Sequence, residues 1–291
     1  MNLLSAVVKL TRIEHSLLLI IAVVAAELIS GGIPQLPIFA LSLVTPFFVS
    51  MGAFAINDYF DVETDRANRR TDRPIVSGAI SRSGAYYVAI VSFAIGIIAS
   101  AFINMYAFVI ALLFAVLAYL YAERMKDMLL VGNVYVAFSM VIPFIFGNIV
   151  VSDTISISIV LISFIVFSSG LAREIHGMIR DRSGDIKVRG ARNLIRYIGV
   201  KKSATIALIL YVEAIGIGIF LFFYDYPFKY NFLYLILVTI ANLMFAYVAF
   251  GYMNKDNRRF FDLSRNLSLA GMGIALVAFL LAPILYIGAY V

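Results

Sequence analysis

Long uncharged apolar stretches alternate with shorter charged ones along the chain. A membrane-spanning helix needs about 20 mostly apolar residues. Residues 83–122 form a run of 40 positions without a charge, which is enough for two crossings, so two helices are expected with a turn near Asn104. A Gly-Gly-Ile-Pro break at residues 31–34 divides the first apolar region in the same way. The predicted spans are residues 16–32, 37–56, 84–103, 105–122, 128–151, 155–172, 203–224, 230–253 and 267–290.

The composition agrees with a lipid environment. Hydrophobic residues make up 63% of the 291 positions and charged residues only 14%, whereas a soluble domain has about 45–50% and about 25%. Because the chain has no cysteine, thiol nucleophiles, disulfides and cysteine-ligated metals are excluded. We therefore expect an all-α, polytopic membrane protein, with nine transmembrane helices around a central cavity and a single domain over residues 1–291.

The distribution of basic residues predicts the orientation. Of 23 Lys and Arg residues, 22 lie in the N-terminal segment or in the charged connections 57–83, 123–127, 173–202 and 254–266, and only Lys229 lies on the other side. The positive-inside rule therefore places the N-terminus and these connections in the cytoplasm. The net charge of +6 is then a consequence of topology, and nucleic acid is not expected as a partner.

The first charged connection opens with an oxygen-rich motif, Asn57-Asp58-Tyr-Phe-Asp61-Val-Glu-Thr-Asp65. If the second span continues as a helix, Asn57, Asp61 and Asp65 fall at i, i+4 and i+8 and share one face. Like charges at that spacing repel each other near the negative end of a helix, so the arrangement is costly unless a cation binds there. Hard divalent cations such as Mg²⁺ prefer oxygen ligands and complete their coordination with water and substrate phosphate.

A second motif follows the sixth span. Asp181 and Asp185 are again four residues apart, and Glu174 lies seven residues before Asp181 on the same face. Each motif follows an even-numbered span, so both lie on the same side of the membrane. We expect the two acidic faces to oppose each other across a central cavity, where they would hold two metal ions on one diphosphate. The alternative is a solvated surface with weak ion pairs, because a single Asp-x-x-x-Asp often arises by chance. The second copy on the same membrane side favours metal binding.

Basic residues lie between the two motifs. Arg69, Arg70 and Arg73 follow the first motif, and Arg124 and Lys126 occupy the connection between the fourth and fifth spans. Arg and Lys donors complement the negative charge of a diphosphate. The same residues also serve as ordinary topology anchors beside membrane helices.

These motifs resemble the UbiA superfamily of intramembrane prenyltransferases, and within it the archaeal branch that makes digeranylgeranylglyceryl phosphate. The resemblance covers essentially the whole chain. Its segments are Asn57-Asp58-x-x-Asp61-x-x-x-Asp65 with Asp72-Arg73-Pro74-Ile75, then Tyr121-x-x-x-x-Lys126 with Gly132-Asn133, and Arg173-Glu174-Ile175 with Asp181-x-x-Gly184-Asp185.

The resemblance implies transfer of a prenyl group from an isoprenyl diphosphate, with Mg²⁺ held by both motifs. The implied catalytic residues are Asp61, Asp65, Asp181 and Asp185. The implied metal ligands are Asn57, Asp61, Asp65, Asp181 and Asp185, with Asp58 and Glu174 as secondary ligands or partners of the ligands. The implied substrate-binding residues are His15, Arg69, Arg73, Tyr121, Lys126, Asn133 and Arg173.

Two departures from the family pattern concern the acceptor. Many members read Arg-Glu-Ile-x-Lys-Asp, whereas this chain continues as His176-Gly177-Met178 and so loses a lysine and a carboxylate. The segment Glu14-His15-Ser16 is more similar to the quinone-pathway branch, and His15 is a candidate for acceptor contact or proton removal, or for simple capping of the first span.

The expected function is lipid biosynthesis at the cell membrane, with the active site on the cytoplasmic side. The expected donor is geranylgeranyl diphosphate and the expected acceptor is geranylgeranylglyceryl phosphate, both in contact with membrane lipids. One alternative is an aromatic-acceptor prenyltransferase of quinone biosynthesis. An alternative from another class is a transporter of phosphorylated metabolites, for which internal repeats and broken spans would be typical.

Overall fold

The computed structural model describes the backbone of residues 2–188, 194–224, 226–255 and 257–287, and the side chains of these ranges except 182–188, 286 and 287. The described chain is helical. In chain order the helices are α1 (Leu3–Thr11), α2 (Ile13–Ser30), α3 (Leu36–Ala67), α4 (Arg82–Ala101), α5 (Met105–Glu123), a short 3₁₀ helix (Met125–Asp127), α6 (Val131–Val151), α7 (Ile157–Val188), α8 (Leu194–Tyr224), α9 (Phe232–Asn254) and α10 (Arg258–Ile287).

Within the described ranges, nine helices are long and apolar enough to cross a membrane, and this confirms the predicted number. Four of them extend nine or more residues beyond the predicted span. α3 continues to Ala67 rather than 56, and α7 continues to Val188 rather than 172. α8 begins at Leu194 rather than 203, and α10 begins at Arg258 rather than 267. Hydropathy detects only the part of a helix that lies in lipid, whereas backbone hydrogen bonds also extend a helix through charged residues in water.

The helix ends follow local chemistry. Asn104 begins α5 by accepting a hydrogen bond from the Ala107 amide at 2.8 Å, which confirms the predicted turn. Its side-chain amide also donates to the Ile149 carbonyl at 3.0 Å and so ties this turn to α6. At the N-terminus, α1 is a short helix that hydropathy does not predict, and Arg12 in a left-handed conformation (φ 47°) separates it from α2.

The nine long helices form a closed ring. From α2 to α10 each helix packs against the next along the chain, and α10 returns to contact α2. α2 also packs extensively against α6 across the ring. One apolar core therefore lies among α3, α4 and α5 with α1, and a second lies among α2 and α6–α10. The charged ends of α3, α5, α7 and α9 all lie at the same end of this bundle.

Close approach of α2 and α6 depends on a glycine. A Cβ atom at Gly147 would lie 2.5 Å from the Val23 carbonyl oxygen and 2.8 Å from the Ala26 Cβ. Small residues allow such backbone contact between membrane helices, where dispersion replaces the hydrophobic effect as the driving force.

Gly147→Ala is expected to destabilise the bundle by about 1–3 kcal/mol, because the added methyl group must displace backbone rather than a flexible side chain. Thermal unfolding of the purified protein in detergent measures this. Gly216→Ala is the matched control, since nothing lies within 4 Å of a Cβ built there in α8. Equal melting temperatures for the two variants would contradict the role of Gly147.

Candidate active site

The first motif lies on the extension of α3 beyond the apolar part of the helix. Asn57 Nδ2 donates a hydrogen bond to Asp61 Oδ2 at 2.9 Å, which confirms that these two side chains share a face. Asp61 Oδ1 accepts from Lys126 Nζ at 2.7 Å. Lys126 comes from the 3₁₀ helix between α5 and α6, 65 residues along the chain. A Cβ at Gly132 would lie 3.0 Å from the Lys126 Cα, so α6 begins directly against this lysine.

Asp58 directly follows Asn57 in α3, and its side chain has different partners from that of Asp61. Its carboxylate is 2% exposed and accepts from Arg12 Nη2 at 2.9 Å and from Arg73 Nη1 at 3.2 Å. The Arg12 guanidinium also lies over the Phe54 ring, 4.7 Å from its centroid. The carboxylate therefore joins the α1–α2 junction, α3 and the connection after α3.

Arg12 is a fixed positive charge in this cluster. Burial lowers the pKa of Arg12 from its usual value, and the negative charge of Asp58 acts in the opposite direction. A guanidinium remains protonated in proteins, so the pair stays ionic.

Asp65, the last carboxylate of the motif, is also buried. Arg70 Nη1 lies 3.4 Å from its Oδ1 and Arg73 Nε lies 3.6 Å from its Oδ2. Arg69, a predicted substrate-binding residue, is exposed and adopts a left-handed conformation (φ 54°) that turns the chain after α3. The first motif thus combines three carboxylates with four cations, one of them from the α1–α2 junction.

The second motif lies on the charged end of α7. Glu174 accepts a hydrogen bond from Asn133 Nδ2 at 3.3 Å and from Arg173 Nη1 at 3.4 Å. Arg180 holds Asp181 through two nitrogens, at 2.8 and 2.6 Å. The side chain of Asp185, the remaining predicted ligand, lies outside the described residues. Since Asn133 follows Gly132 in α6, the start of this helix lies between Glu174 of the second motif and Lys126, which contacts Asp61 of the first motif.

A cavity of about 400 Å³ lies beside the second motif, between α7, α9 and α10. Its walls include His176, Asp181, Tyr252, Ser264 and Arg265. Among the described residues, no side chain of the first motif lines it. The prediction that the two acidic faces oppose each other across one cavity remains a prediction.

The donor chemistry of both motifs fits a hard divalent cation, because carboxylate and amide oxygens are the available ligands. In the described part of the chain, no three His, Asp or Glu side chains converge into a ready metal site. Each carboxylate of the two motifs whose side chain the structure describes is ion-paired with a neighbouring Arg or Lys. The metal assignments therefore remain predictions. A bound metal ion would have to compete with these Arg and Lys side chains for the motif carboxylates.

The other predicted substrate-binding residues lie at the edges of these clusters. Tyr121 stacks on Tyr135, with ring centroids 4.8 Å apart. His15 is largely exposed and packs edge-to-face against Phe54 at 5.3 Å. His15 thus lies near Arg12, which also contacts Phe54.

Sequence reasoning did not assign Arg12, Arg180, Ser264 or Arg265 to a site. Arg12 belongs to the basic N-terminal segment and directly precedes Glu14-His15-Ser16, and a lone arginine before a membrane span is typical of a topology signal. Ser264 and Arg265 lie in the predicted charged connection 254–266, far along the chain from either motif, and only the packing of α10 against α7 places them at the cavity. No local pattern in the sequence identifies them.

Fold and site together define a polytopic membrane protein with a cluster of alternating carboxylates and cations at one end of its helical ring. Residues 18–270 match the UbiA prenyltransferase family, and the chain belongs to this family. It is 36% identical to digeranylgeranylglyceryl phosphate synthase of Archaeoglobus fulgidus over 95% of this chain and 94% of that protein. The enzyme of the same name from Thermococcus kodakarensis is 31% identical over 72% of this chain and 75% of its own length.

Solved structures show the same fold. A structure reported for the biosynthesis of digeranylgeranylglyceryl phosphate synthase in membranes matches with a TM-score of 0.78 and 28% identity, over 98% of this chain and 99% of that one. A UbiA homolog from Archaeoglobus fulgidus bound to GPP and Mg²⁺ matches with a TM-score of 0.66 and 17% identity, over 94% and 99%. The chain is thus an integral, multi-pass membrane protein of the prenyltransferase class.

Proposed function

We propose that this chain transfers a geranylgeranyl group from geranylgeranyl diphosphate to geranylgeranylglyceryl phosphate. The observation that carries the proposal is the cluster of Arg12, Arg73 and Lys126 among three carboxylates at one end of a membrane bundle. Such a cluster suits a diphosphate with a bound divalent cation. The names of the relatives, digeranylgeranylglyceryl phosphate synthase, support this donor and acceptor pair.

The proposed cofactor is Mg²⁺, in agreement with the ligands of the UbiA homolog structure. Asn57, Asp61 and Asp65 are the proposed ligands in the first motif, with Asp58 beside them. Glu174, Asp181 and Asp185 are the proposed ligands in the second. When bound, the cation supplies positive charge to the diphosphate oxygens.

The remaining charge compensation comes from side chains. Lys126 and Arg73 are ion-paired with motif carboxylates, and these contacts hold both cations at the site before substrate arrives. In the transfer, the allylic carbon–oxygen bond breaks and diphosphate leaves with the electron pair. The acceptor hydroxyl oxygen forms the new ether bond and loses its proton. Cations that are already oriented stabilise the negative charge that grows on the leaving oxygen.

An apolar groove of about 370 Å³ between α5 and α6 is suited to the isoprenoid tail of the donor. Met125, Leu130, Val134 and Phe138 are among the residues that line it. Met125 precedes Lys126 in the 3₁₀ helix, so the groove begins next to the cation that contacts Asp61. A tail in this groove would keep water from the reacting carbon.

Val134→Trp is expected to raise the KM for geranylgeranyl diphosphate about tenfold or more, because each methylene excluded from an apolar contact costs about 0.8 kcal/mol. Dimethylallyl diphosphate has only five carbons, so its inhibition constant should change by less than twofold. Val116→Trp, which adds the same bulk to an exposed position of α5 outside the groove, is the control. Equal effects on the long and the short diphosphate would contradict this location of the tail.

We further propose that residues 1–291 form one domain, with the N-terminus and both motifs on the cytoplasmic side of the cell membrane. The support is the position of 22 of the 23 Lys and Arg residues along the chain, in the N-terminal segment and in connections that alternate helices place on one side of the membrane.

The proposed function is tested with purified protein in lipid nanodiscs, Mg²⁺ and labelled geranylgeranyl diphosphate. Geranylgeranylglyceryl phosphate and a hydroxylated aromatic acid are offered as separate acceptors. Label is expected in the ether lipid with equimolar release of diphosphate. Label only in the aromatic product would identify the quinone-pathway alternative instead. Uptake of intact phosphorylated compounds into vesicles without diphosphate release would identify a transporter.

A further inference from the structure

The short helix α1 exposes apolar side chains, although its 9 residues are too few to cross a membrane. Leu4 is 73% exposed and Val8 is 41% exposed. The two residues are four apart, so their side chains share one side of the helix, which we call the outer face of α1. Exposed apolar patches mark contacts with another protein or with a membrane. The outer face therefore requires a partner.

Helical periodicity gives α1 two further faces. Ala6 and Leu10 are fully buried and are also four residues apart, so they form the face that packs on the bundle. Ser5 and Lys9 are exposed. Each of them directly follows a residue of the outer face, so this polar face is turned by about 100° from it. Helices with adjoining apolar and basic polar faces are typical of membrane surfaces.

The contacts of Arg12 define the level of α1 relative to the membrane. The Arg12 guanidinium lies over the Phe54 ring, 4.7 Å from its centroid, and pairs with Asp58 at 2.9 Å. Phe54 belongs to the last apolar turn of α3, whereas Asp58 belongs to the charged extension of that helix. The junction between α1 and α2 therefore lies where the apolar part of the bundle ends, which is the expected boundary of the lipid.

The packing of α1 keeps it near this boundary. Arg12 in its left-handed conformation interrupts the helical path, and α1 packs against α3. Leu10 joins the apolar core that contains Ala55 and Ile56, the last residues of the apolar part of α3. On α2, exposed apolar side chains begin at Leu17, less than two helical turns beyond Arg12. The apolar surface that lipid covers thus begins close to α1.

We propose that α1 is an interfacial helix whose outer face docks into the membrane leaflet on the side of the two motifs. The partner is the boundary between headgroups and acyl chains, where amphipathic helices bury apolar side chains by about 5–10 Å. The polar face then meets water, and Lys9 lies among the headgroups, where anionic lipids attract it. A docked α1 restrains the junction at Arg12 and so supports its contact with Asp58. The inference concerns the position of α1 and is independent of the proposed function.

Site-directed spin labelling in lipid nanodiscs tests the proposal. Since the chain has no cysteine, one introduced cysteine carries the only label. Electron paramagnetic resonance measures how often the label collides with oxygen, which enters lipid, and with a nickel chelate, which stays in water. The ratio of oxygen to nickel collisions should be several-fold higher for Leu4→Cys than for Ser5→Cys, the matched control on the polar face.

Two further positions calibrate the ratio. Leu17→Cys places the label on the exposed apolar surface of α2. Glu63→Cys places it on the charged extension of α3, where the native side chain is 72% exposed. Equal ratios at positions 4 and 5, both close to that of Glu63→Cys, would show that α1 lies in water and would overturn the proposal. Few collisions with either reagent at position 4 would indicate a protein partner and would also overturn it.

Val8→Asp, introduced into the Leu4→Cys protein, provides an independent test. Because a carboxylate is costly to remove from water, the change should lift the outer face out of the lipid. The collision ratio at position 4 should then fall toward that of Glu63→Cys. Ser5→Asp adds the same charge on the polar face and should leave the ratio unchanged. Both replaced side chains are exposed, so the packed core is left intact. An unchanged ratio after Val8→Asp would refute lipid contact of the outer face.

Discussion

Asp61→Asn is expected to lower kcat/KM for prenyl transfer by about 10²–10³-fold, which is the typical loss when one preorganised electrostatic group is removed from an active site. Asparagine keeps the shape of the side chain and an oxygen that accepts from Asn57 or Lys126. It removes the negative charge, and with it a proposed Mg²⁺ ligand. Higher Mg²⁺ should therefore be needed for half-maximal activity. The measurement is transfer rate against Mg²⁺ concentration.

The protein should still fold after this change. The side chains of Asp61 and Lys126 are 17% and 12% exposed, and asparagine still accepts a hydrogen bond from Lys126, so the loss of stability should be about 1–2 kcal/mol. Glu63→Gln is the matched control, because the Glu63 side chain is 72% exposed and its partner is the exposed Arg66. Its activity should stay within twofold of wild type. Retention of most activity by Asp61→Asn, with the same Mg²⁺ dependence, would show that Asp61 is not a ligand.

The parts of this site that the sequence predicts are those set by helical periodicity. Asn57 and Asp61 are four residues apart, so the helical period alone brings them into contact once α3 is known to continue. That prediction assumes that α3 continues beyond residue 56, which hydropathy alone does not indicate. Membrane spans are predictable for a similar reason, because the thickness of the lipid fixes their length.

Contacts between distant segments could not be derived in this way. Lys126 was named through the family resemblance, and its contact with Asp61 depends on how α6 packs against the 3₁₀ helix at Gly132. Arg12 reaches Asp58 only because the chain takes a left-handed turn between α1 and α2. Ser264 reaches the cavity only through the contact of α10 with α7. Each of these depends on tertiary packing, which no local pattern encodes.

Asp58 illustrates how neighbouring residues of one motif differ in role. It was predicted as a secondary metal ligand or a partner of the ligands, and in the structure it is buried between two guanidinium groups. Three steps along a helix leave two side chains about 60° apart around its axis. Asp58 nevertheless pairs with Arg12 and Arg73, whereas Asp61 pairs with Lys126. We expect Asp58 to stabilise the fold and Asp61 to act on the substrate.

Asp58→Asn is expected to destabilise the protein by about 3 kcal/mol, the lower end of the cost of breaking a buried ion pair. The change leaves Arg12 and Arg73 close to each other without their shared counter-charge. It also weakens the contact between Asp58 and Arg12, whose left-handed backbone conformation is unfavourable for a residue with a side chain. Thermal unfolding in detergent measures the loss. Asp262→Asn, whose side chain is 59% exposed and pairs with the exposed Arg258, should change stability by less than about 0.5 kcal/mol.

A double variant distinguishes pairing from metal binding. Replacing Arg12 by glutamine in the Asp58→Asn background removes one of the two unpaired cations, so the double variant should be more stable than additivity of the single variants predicts. The Mg²⁺ concentration for half-maximal activity should stay unchanged in folded Asp58→Asn, in contrast to Asp61→Asn. A shift in Mg²⁺ dependence without loss of stability would instead identify Asp58 as a metal ligand. If Asp58 only pairs with Arg12 and Arg73, its replacement lowers stability and leaves the Mg²⁺ dependence unchanged.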